Sequence, residues 1–276
     1  MPELPEAETI CRQISPQARG KTITAVLLRE KSILRHPEDA GKFRRGLKGR
    51  RICRIYRRGK AVIFALDNET TLVVRLGMSG TLKIRPADAP ADKHVHLTVG
   101  LGKGKELRFR DPRKFGGVTL RKGVEVEAFP EFAHYGPEPF SETFNAAYLA
   151  NILKGRKAKL GVLLMDQRIV AGIGKIYSDE ICFHAGIRPG RAAGGLMKKE
   201  IEKLVFATRE VLEKAIEDRG TTAGDRAYID AYGLPGGFQP QVYQKTGQPC
   251  ARCGKIIKRT RMNGNRGLHW CAGCQK

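Results

Sequence analysis

The sequence predicts an α+β protein in which an N-terminal helix and a two-layer β-sandwich precede a helical region and a terminal β-hairpin. Three observations predict this class. Short β-branched or alternating runs, separated by Gly and Asp-Asn, occupy residues 22–120. Apolar residues recur at helical spacing between 144 and 218, and two Cys-x-x-Cys pairs lie between 250 and 274. The 276 residues suffice for two domains, or for one large and one small.

The first predicted element is a helix. Apolar residues from Leu4 to Ile14 recur at helical spacing. We expect an amphipathic helix from about Pro5 to Ser15 that ends before Pro16, because an internal proline removes a ladder hydrogen bond. Such a helix buries the N-terminus against a core.

The next hundred residues have the pattern of a β-sandwich. Seven runs have strand composition: Thr22–Leu28, Arg51–Tyr56, Ala61–Leu66, Thr70–Leu76, Val95–Val99, Glu106–Arg110 and Val118–Leu120. Many short strands with turn signals between them predict two packed sheets. Residues 85–93, which contain two prolines, are expected to form a loop.

The chain becomes helical after the Gly136–Pro139 segment, which marks a boundary near 130–140. The predicted helices are Phe144–Lys154, Leu160–Met165, Lys175–Phe183 and Leu196–Asp218. Residues 220–237 are glycine-rich and predicted to be a loop, and a small cysteine-bearing module begins at Pro249. We therefore expect domains at 1–135, 136–245 and 246–276.

The charge balance indicates a polyanionic partner. Lys and Arg number 51 against 28 Asp and Glu, which gives a net charge of +23. A surplus of that size attracts nucleic acid or an anionic membrane. No run is long and apolar enough to span a bilayer, and the start does not have the pattern of a signal peptide. The expectation is a cytosolic protein that binds nucleic acid.

Two Cys-x-x-Cys pairs, separated by seventeen residues, have the spacing of a four-thiolate zinc site. The predicted ligands are Cys250, Cys253, Cys271 and Cys274. Four ligands leave no open position, so the zinc is expected to be structural; unligated thiols are the alternative. The other three cysteines, expected to be small core residues in a reducing compartment, are Cys11, Cys53 and Cys182.

The cysteine pairs enclose a predicted β-hairpin, because Asn263-Gly264 is a strong turn signal. Its flanking residues are more basic than a zinc ribbon requires, which favours phosphate contact. These cations are Lys255, Lys258, Arg259, Arg261 and Arg266.

The first six residues place a secondary amine beside two carboxylates. If Met1 is removed, Pro2 becomes an amine that can attack a masked aldehyde carbon and form an iminium. Glu3 is the adjacent candidate acid and base. The alternative is that Met-Pro is an ordinary start and that Pro5 and its acidic neighbours only open the helix.

The Gly172–Lys175 run precedes an apolar helix, so it leaves backbone N–H groups available to a phosphate. A tight turn between helices explains the same run equally well. The Asp111–Gly116 segment combines a turn, two cations and an aromatic residue. Phe115 is either an exposed aromatic residue or a core residue of an ordinary hairpin.

Together these motifs resemble the formamidopyrimidine-DNA glycosylase and endonuclease VIII family. The resemblance rests on Met1–Glu6, Gly172–Glu180 and the four-cysteine unit, and it extends over essentially the whole chain. Glu3-Leu4 and Ile176-Tyr177 resemble the formamidopyrimidine branch. The resemblance implies a helix-two-turn-helix domain, a β-hairpin zinc finger, and a DNA glycosylase with abasic-site lyase activity.

The resemblance also implies catalytic roles. Pro2 would attack the deoxyribose C1′, Glu3 would protonate the ring oxygen, and elimination would then cut the strand on both sides of the sugar. Lys60 matches a lysine that contacts DNA and assists elimination. Glu6 matches a carboxylate that orders the N-terminus.

The DNA-binding roles follow in the same way. Phe115 would be the wedge, Arg113 would face the orphan base, and Met78 would fill the void. Arg266 matches an arginine that grips the phosphates flanking the lesion. Lys175 stands at a position that contacts the DNA backbone.

The chain departs from the family pattern at three backbone-contacting positions. Arg75 stands where the family has histidine, Gly161 where it has lysine, and Lys175 where it has asparagine. The 221–232 loop lacks the Leu-Arg-Asp-Tyr pattern and is about two residues longer. The expected substrate is duplex DNA that contains an oxidised base, with purines favoured, or an abasic site.

Two other functions remain open at this point. One is a member of the family that binds damaged or structured duplex DNA without excising a base. The other is an RNA- or ribosome-associated zinc-ribbon protein, which leaves the N-terminal motif unexplained. In each case we expect a monomer in the bacterial cytoplasm, near the nucleoid.

Overall fold

The computed structural model describes residues 2–90, 92–223, 228–262 and 267–276. The chain divides into two units. The first comprises Met1–Ala133 and Asp218–Gly237, and the second comprises His134–Glu217 and Phe238–Lys276. Among the described residues, no helix has the length and apolar character needed to cross a membrane.

The first unit has two helices, α1 and α2, and two β-sheets. Its elements are α1 (Leu4–Ala18), β1 (Ala25–Leu28), β2 (Leu34–His36), α2 (Ala40–Leu47), β3 (Ile52–Arg58), β4 (Ala61–Leu66), β5 (Thr70–Arg75), β6 (Thr81–Pro86), β7 (Val95–Gly102), β8 (Lys105–Arg110) and β9 (Gly117–Lys122). One sheet has the order β1-β7-β8-β6 and the other the order β2-β9-β5-β4-β3. The β2–β9 pair is parallel, and the other pairs are antiparallel.

One apolar core joins both sheets to α1. It includes Ile10 and Ile14 of α1, Phe64 of one sheet, and Leu97 and Val99 of the other. Because strand side chains alternate between faces, each sheet turns one apolar row inward. The predicted N-terminal helix and two-layer sandwich are confirmed.

Some sequence predictions in this unit are wrong in detail. The first helix does not stop before Pro16 but continues to Ala18. The proline lies in the last turns, and the carbonyl that loses its donor belongs to the exposed Arg12, where water can replace it. Helix α2 was not predicted, although Asp39 caps it and Phe43 and Leu47 are buried at i,i+4 spacing.

Strands β2 and β6 were also not predicted. The expectation that all three isolated cysteines are core residues is wrong for one of them. Cys11 and Cys182 are buried as expected, whereas Cys53 is exposed. Cys53 sits where the β3–β4 register shifts between Ile52 and Arg54. Such an irregularity turns a side chain away from the face that simple alternation assigns to it.

The second unit is mainly helical and ends in a β-hairpin. Its elements are α3 (Ala146–Leu153), α4 (Leu160–Leu163), α5 (Lys175–Ala185), α6 (Lys198–Glu217), β10 (Ile257–Arg261) and β11 (Gly267–Cys271). The hairpin strands pair antiparallel, with Arg261 opposite Gly267. The predicted turn at Asn263–Gly264 and Arg266 lie outside the described residues. A small core formed by Phe183, Val242, Cys250, Ile257 and Cys271 joins α5 to the hairpin.

Candidate active site and nucleic-acid interface

The start of α1 is a buried polar site. Pro2 is buried, and Glu3 and Glu6 are each about 1% exposed. Glu6 Oε2 accepts a hydrogen bond from Glu3 N at 2.7 Å, and Glu6 Oε1 accepts one from Thr221 N at 2.8 Å. One carboxylate therefore fixes the backbone beside Pro2 and ties it to a segment more than 200 residues away in sequence.

Gly220 makes this contact possible. Its φ of +78° is in the left-handed region, and a Cβ built on it would lie 2.7 Å from Glu6 Oε1. Any other residue here would meet both a strained backbone and the Glu6 carboxylate. The glycine thus lets the 218–223 backbone approach the N-terminal turn.

A second bridge lies further along α1. Gln13 Nε2 donates to Asp230 Oδ2 at 2.9 Å, and Ala231 N donates to Gln13 Oε1 at 2.8 Å. Asp230 is fully buried. Burial opposes its ionisation, but hydrogen bonds from Gln13, Leu234 N, Tyr232 N and Arg219 together lower the pKa of Asp230. The carboxylate is therefore held ionised at the centre of this turn.

The 221–232 loop, whose sequence departs from the family pattern, contains partners from both of these contacts. Thr221 bonds to Glu6, and Asp230 bonds to Gln13. Tyr228 is 3% exposed and belongs to the apolar core, its hydroxyl donates to Arg219 O at 3.2 Å, and burial raises the pKa of Tyr228. Thr222 Oγ1 donates to Tyr228 O at 2.7 Å. Both ends of the loop are thus anchored, while residues 224–227 lie outside the described residues.

Lys60 lies in the tight turn between β3 and β4 and is half-buried. The turn is fixed beside α1 because Arg57 pairs with Glu8 at 3.3 Å and donates from Nη1 to Gly59 O at 3.0 Å. The predicted catalytic residues Pro2, Glu3, Glu6 and Lys60 therefore belong to two elements that are bound to each other.

Asp111 organises the two loops that carry the predicted wedge residues. It is fully buried, and its carboxylate accepts from Ser79 Oγ at 2.7 Å and from Gly116 N at 2.7 Å. A Cβ at Gly77, where φ is +64°, would lie 2.4 Å from Gly116 N. The two loops are therefore in backbone contact.

The wedge candidates project from this loop pair. Phe115 is 59% exposed, so the core alternative for it is wrong. The Arg113 guanidinium lies 5.0 Å from the Phe115 ring centroid. Met78 is half-buried on the neighbouring loop. An exposed aromatic ring with a cation against it suits insertion into a base stack.

Arg75 is placed differently from a simple phosphate ligand. Its Nη2 donates to Glu131 O at 2.9 Å, and its guanidinium lies 5.1 Å from the Phe132 ring centroid. The Glu131 carboxylate pairs with Arg121. Arg75 therefore packs the 131–132 segment against the end of β5.

In the second unit, the turn before α5 is held by Gln167. Its Nε2 donates to Ile173 O at 2.9 Å and its Oε1 accepts from Gly172 N at 2.8 Å. Gly174 caps α5 without a side-chain acceptor. The turn therefore presents the N-terminus of an eleven-residue helix, where the helix dipole favours an anion.

Lys175, the first residue of α5, forms an ion pair with Asp179 and lies 5.5 Å above the Tyr243 ring centroid. Asp179 is fully buried and also accepts from His269 Nδ1 at 2.7 Å and His269 N at 3.1 Å. Lys175 is thus part of a cluster that joins α5 to β11.

Gly161 has a direct steric explanation. A Cβ at this position would lie 2.7 Å from Leu268 Cδ2 and 3.0 Å from Pro189 Cβ. The hairpin side chain Leu268 fills the space that a longer residue at 161 would need. The missing lysine therefore reflects how this hairpin packs.

The four predicted zinc ligands converge. Their sulfur atoms all lie within 4.8 Å of one another, with Cys253 and Cys271 Sγ 3.4 Å apart and Cys250 and Cys274 Sγ 3.9 Å apart. A tetrahedral Zn²⁺ with Zn–S bonds of about 2.3 Å separates its sulfurs by about 3.8 Å. The tetrad fits one structural zinc with no open position.

Several organising residues were missed by the sequence analysis. Asp111 has a local signal, since an Asp before Pro112 is typical of a turn. Asp179 has a local partner in Lys175 at i,i+4 spacing, but its contact with His269 and the Gln13–Asp230 pair have no local signal, because these partners lie 90 and 217 residues apart in sequence. Such contacts exist only once the fold brings the segments together.

Family comparisons agree over nearly the entire chain. Residues 1–118 match the formamidopyrimidine-DNA glycosylase N-terminal domain, residues 135–226 match the H2TH domain of the same enzymes, and residues 247–276 match the zinc finger found in FPG and IleRS. The formamidopyrimidine-DNA glycosylases of Bacillus licheniformis and Geobacter sulfurreducens are 43% and 42% identical, each covering 100% of both chains.

Solved structures show the same similarity. The MutM (FPG) protein from Thermus thermophilus superposes with a TM-score of 0.88 at 38% identity, covering 99% of this chain and 98% of the other. The Lactococcus lactis Fpg in complex with DNA containing an abasic site gives a TM-score of 0.90 at 33% identity, covering 99% of each chain. Because all three domain models match and relatives more than 40% identical cover its whole length, this chain belongs to the formamidopyrimidine-DNA glycosylase family.

Proposed function

We propose that the protein is a base-excision repair glycosylase that removes oxidised bases, chiefly purines, from duplex DNA and then cleaves the abasic strand. The observation that carries this proposal is the buried start of α1, where Glu6 locks the backbone beside Pro2 and Glu3. The relatives support it, since solved complexes of the Lactococcus lactis protein contain Fapy-dG or abasic-site DNA.

In the proposed reaction, Pro2 becomes the N-terminal residue after loss of Met1. Its nitrogen attacks C1′ of the damaged nucleotide and the glycosidic bond breaks, with the bonding electrons leaving on the base. Glu3 then supplies a proton to the ring oxygen as the C1′–O4′ bond opens, which leaves an iminium between Pro2 and C1′. The iminium makes the C2′ proton acidic. Elimination then expels the 3′ phosphate and, in a second step, the 5′ phosphate.

The neighbouring residues position these groups. Glu6 holds the N-terminal backbone through Glu3 N and Thr221 N. Lys60, in a turn fixed through the Glu8–Arg57 pair, contacts DNA beside the reacting sugar and assists elimination. The positive end of the α1 dipole also disfavours a protonated amine at this terminus.

Base extrusion is assigned to the loop pair that Asp111 holds. Phe115 enters the stack, Arg113 faces the orphan base, and Met78 fills the space left behind. The exposure of Phe115 and its contact with Arg113 support this division of roles.

The DNA backbone is held mainly by cations. Arg266 is proposed to contact the phosphates flanking the lesion, and Lys175 to add a phosphate contact at the start of α5. Arg75 supports the end of β5 and has its guanidinium on Glu131 O, so its DNA contact is the least direct of the three. The zinc tetrad builds the hairpin that carries Arg266, with no ligand position left for substrate.

We divide these tasks among segments 1–135, 136–245 and 246–276, with the first unit completed by the 218–237 segment. The net charge of +23 supports action on the bacterial nucleoid, in the cytoplasm. The protein is expected to act as a monomer, because one chain supplies every residue of the proposed mechanism.

The decisive experiment is borohydride trapping on duplex DNA with one abasic site. The processed protein should form a covalent adduct, while Pro2→Gly and a form with an extended N-terminus should lose it. Base release from single-lesion duplexes, measured separately from strand cleavage, should stop in Glu3→Gln. If the processed wild type binds lesion duplexes but yields no adduct, the protein is a non-excising binder.

A further inference from the structure

The stretch from residue 40 to residue 66 has an unusual charge composition. It contains ten Lys or Arg residues and no Asp or Glu. Helix α2 and the edge strand β3 lie within it. Of these cations, the proposed mechanism uses Lys60, at the far end of β3, and Arg57, which fixes the Lys60 turn through Glu8.

Backbone hydrogen bonds bring several exposed cations of this stretch close to the end of α1. Gly20 N donates to Ile52 O at 2.7 Å, and Ile23 N donates to Arg50 O at 2.8 Å. These bonds hold the end of α1 against the start of β3. We name as the α2–β3 basic face seven exposed cations near this junction: Arg19 of α1 and, from the stretch itself, Arg44, Arg45, Lys48, Arg50, Arg51 and Arg54.

Part of this face is concave. A surface depression of about 280 Å³ is lined by Ala25, Val26, Arg44, Arg45 and Lys48. Three cations therefore surround a small apolar floor without an acidic residue in the lining. This arrangement suits the backbone of a polyanion, which presents phosphates at regular spacing.

Little negative charge on the protein offsets the face. Among the described residues, its ion pair is Arg51 with Asp67, at 4.0 Å and with both side chains partly exposed, a geometry that contributes little. Asp39 lies near Arg45, but its carboxylate accepts hydrogen bonds from Gly41 N and Lys42 N, which lower the pKa of Asp39. The face therefore keeps a strong positive surplus.

The face is remote from the catalytic end of the same unit. Helix α1 and strand β3 run in opposite directions, because Glu8 pairs with Arg57 at one end and Gly20 N bonds to Ile52 O at the other. A fifteen-residue helix is about 22 Å long, and seven strand residues span about 23 Å. The far end of the basic face, at Arg19 and Arg51, thus lies about 20 Å from Glu3 and Lys60, and Arg54 is its member nearest to Lys60.

We propose that the α2–β3 basic face binds a second segment of duplex DNA while the catalytic end holds the first. The contact is to phosphates and independent of sequence. Duplex is favoured over single strands because no aromatic side chain among the described residues of this face is exposed for base stacking. Such a second contact lets the protein transfer between DNA segments during its search for damage.

The test uses the full-length protein saturated with an unlabelled duplex that contains a stable abasic-site analogue. A labelled undamaged duplex is then titrated, and its uptake is followed by anisotropy, with stoichiometry from sedimentation. The variant is Arg44→Gln, Lys48→Gln and Arg51→Gln combined. The control removes three exposed charges from α6 as Lys198→Gln, Lys199→Gln and Lys203→Gln.

Wild type and control should bind the second duplex. The face variant should bind it at least about tenfold more weakly, with a salt slope smaller by about three. A second variant, Arg45→Gln with Arg50→Gln, should show a smaller loss of the same kind. Single-turnover excision should be equal in all four proteins, which separates this proposal from the proposed function.

Equal binding of the second duplex by the face variant and wild type would overturn the proposal, as would an equal loss in the α6 control. Stronger uptake of single-stranded DNA, of an acidic peptide or of anionic vesicles by the same face would also overturn it, because the partner would then be a different one.

Discussion

Buried carboxylates organise both units, but Asp179 differs from the others in the kind of partner that it has. In the first unit, Glu6 and Asp111 accept hydrogen bonds from backbone N–H groups and from a serine hydroxyl, and in the second unit Glu180 likewise accepts from the backbone N–H groups of residues 241–243. Asp179 is instead bound by the Lys175 ammonium as well as by the ring and backbone of His269. Glu6, Asp111 and Asp179 are at most about 1% exposed.

The kind of partner decides whether a carboxylate can exchange its hydrogen-bond donor. A backbone N–H cannot leave its acceptor without moving the chain, so the catalytic end and the wedge loops are held rigidly. A lysine can trade a carboxylate for a phosphate, because both accept a charge-assisted hydrogen bond. Of the departures from the family pattern, Gly161 and Lys175 lie in the second unit and Arg75 and the 221–232 loop lie in the first, where Pro2, Glu3 and Glu6 keep the pattern.

The largest expected effect comes from removing the zinc that holds β11 in place, because His269 of β11 binds Asp179. Cys271→Ser should release zinc and unfold β11, because metal binding and folding are coupled in so small a module. His269 then leaves Asp179, and duplex affinity should fall at least about a hundredfold as the hairpin cations are lost. Metal analysis and anisotropy measure both effects.

Cys53→Ser is the matched control, since Cys53 is exposed and lies outside the tetrad. It should retain one zinc and normal affinity. One zinc bound in the Cys271→Ser protein would mean that the ligands are wrongly assigned.

The second prediction concerns the Glu6 carboxylate, which holds the backbone at the proposed catalytic end. Gly220→Ala should lower single-turnover excision and borohydride trapping by about a hundredfold, because the new Cβ displaces the Glu6 carboxylate and a small misplacement of a catalytic group costs that much. Gly20→Ala shares the φ of +78° but has no atom within 4 Å of the new Cβ.

Both alanine variants should lose about 1–2 kcal/mol of stability from the left-handed backbone. Only Gly220→Ala should lose activity. Equal activities in the two variants would show that Glu6 does not control the N-terminal turn.

The third prediction concerns the wedge loops. Asp111→Ala leaves Ser79 Oγ and Gly116 N without their acceptor, so the free energy of unfolding should fall by about 2–4 kcal/mol. Excision from duplex DNA should fall about tenfold or more, by a loss of about 1.4 kcal/mol or more in the transition state. Trapping on a single-stranded abasic oligonucleotide should survive, because no base must be extruded there.

Asp88→Ala, at an exposed turn of the same unit, is the control and should behave as wild type. If Asp111→Ala loses duplex and single-strand trapping equally, Asp111 supports the whole unit rather than the wedge.

Much of the fold was predictable because its signals are local. The pattern of short apolar runs located β3, β4, β5, β7, β8 and β9 within a few residues, and spacing alone identified the cysteine tetrad. Strand β6 alternates Lys83 and Arg85 with two apolar residues as a strand should, but it was missed because it runs directly into a segment with two prolines, which predicts a loop. Helix α2 was hidden by its many cations.

The site was less predictable because its supports are distant in sequence. A pattern at the N-terminus and a family resemblance indicate Pro2 and Glu3, but the Thr221 contact of Glu6 crosses 215 residues. Arg75 is a further example. Its guanidinium donates to Glu131 O, a partner 56 residues away that no local pattern reveals, and its contact with DNA stays a prediction.

A smaller effect should come from Asp230, another buried carboxylate of the first unit. Its pKa is lowered in the folded state. The stability it contributes is therefore complete above the unfolded pKa of aspartate and is lost as the pH falls through the folded value. Asp230→Asn should cost about 1–3 kcal/mol at neutral pH.

Urea titrations of wild type and Asp230→Asn between about pH 6 and pH 3 measure this dependence. The difference in the free energy of unfolding should shrink as the pH falls. A difference that stays constant with pH would assign the loss to packing rather than to the charge.

The smallest expected effect tests whether Lys175 can exchange the Asp179 carboxylate for a DNA phosphate. Lys175→Asn should lower the salt slope of duplex binding by about one unit and weaken binding about threefold near 0.1 M salt, if Lys175 leaves Asp179 for a phosphate. Asp179→Asn should strengthen binding, because the lysine no longer has to break an ion pair first. The double variant should match Lys175→Asn, since removing a competitor has no effect once the cation is gone. A Lys175→Asn protein with an unchanged salt slope would show that the pair with Asp179 persists on DNA, and the carboxylates of both units would then serve the same fixed structural role.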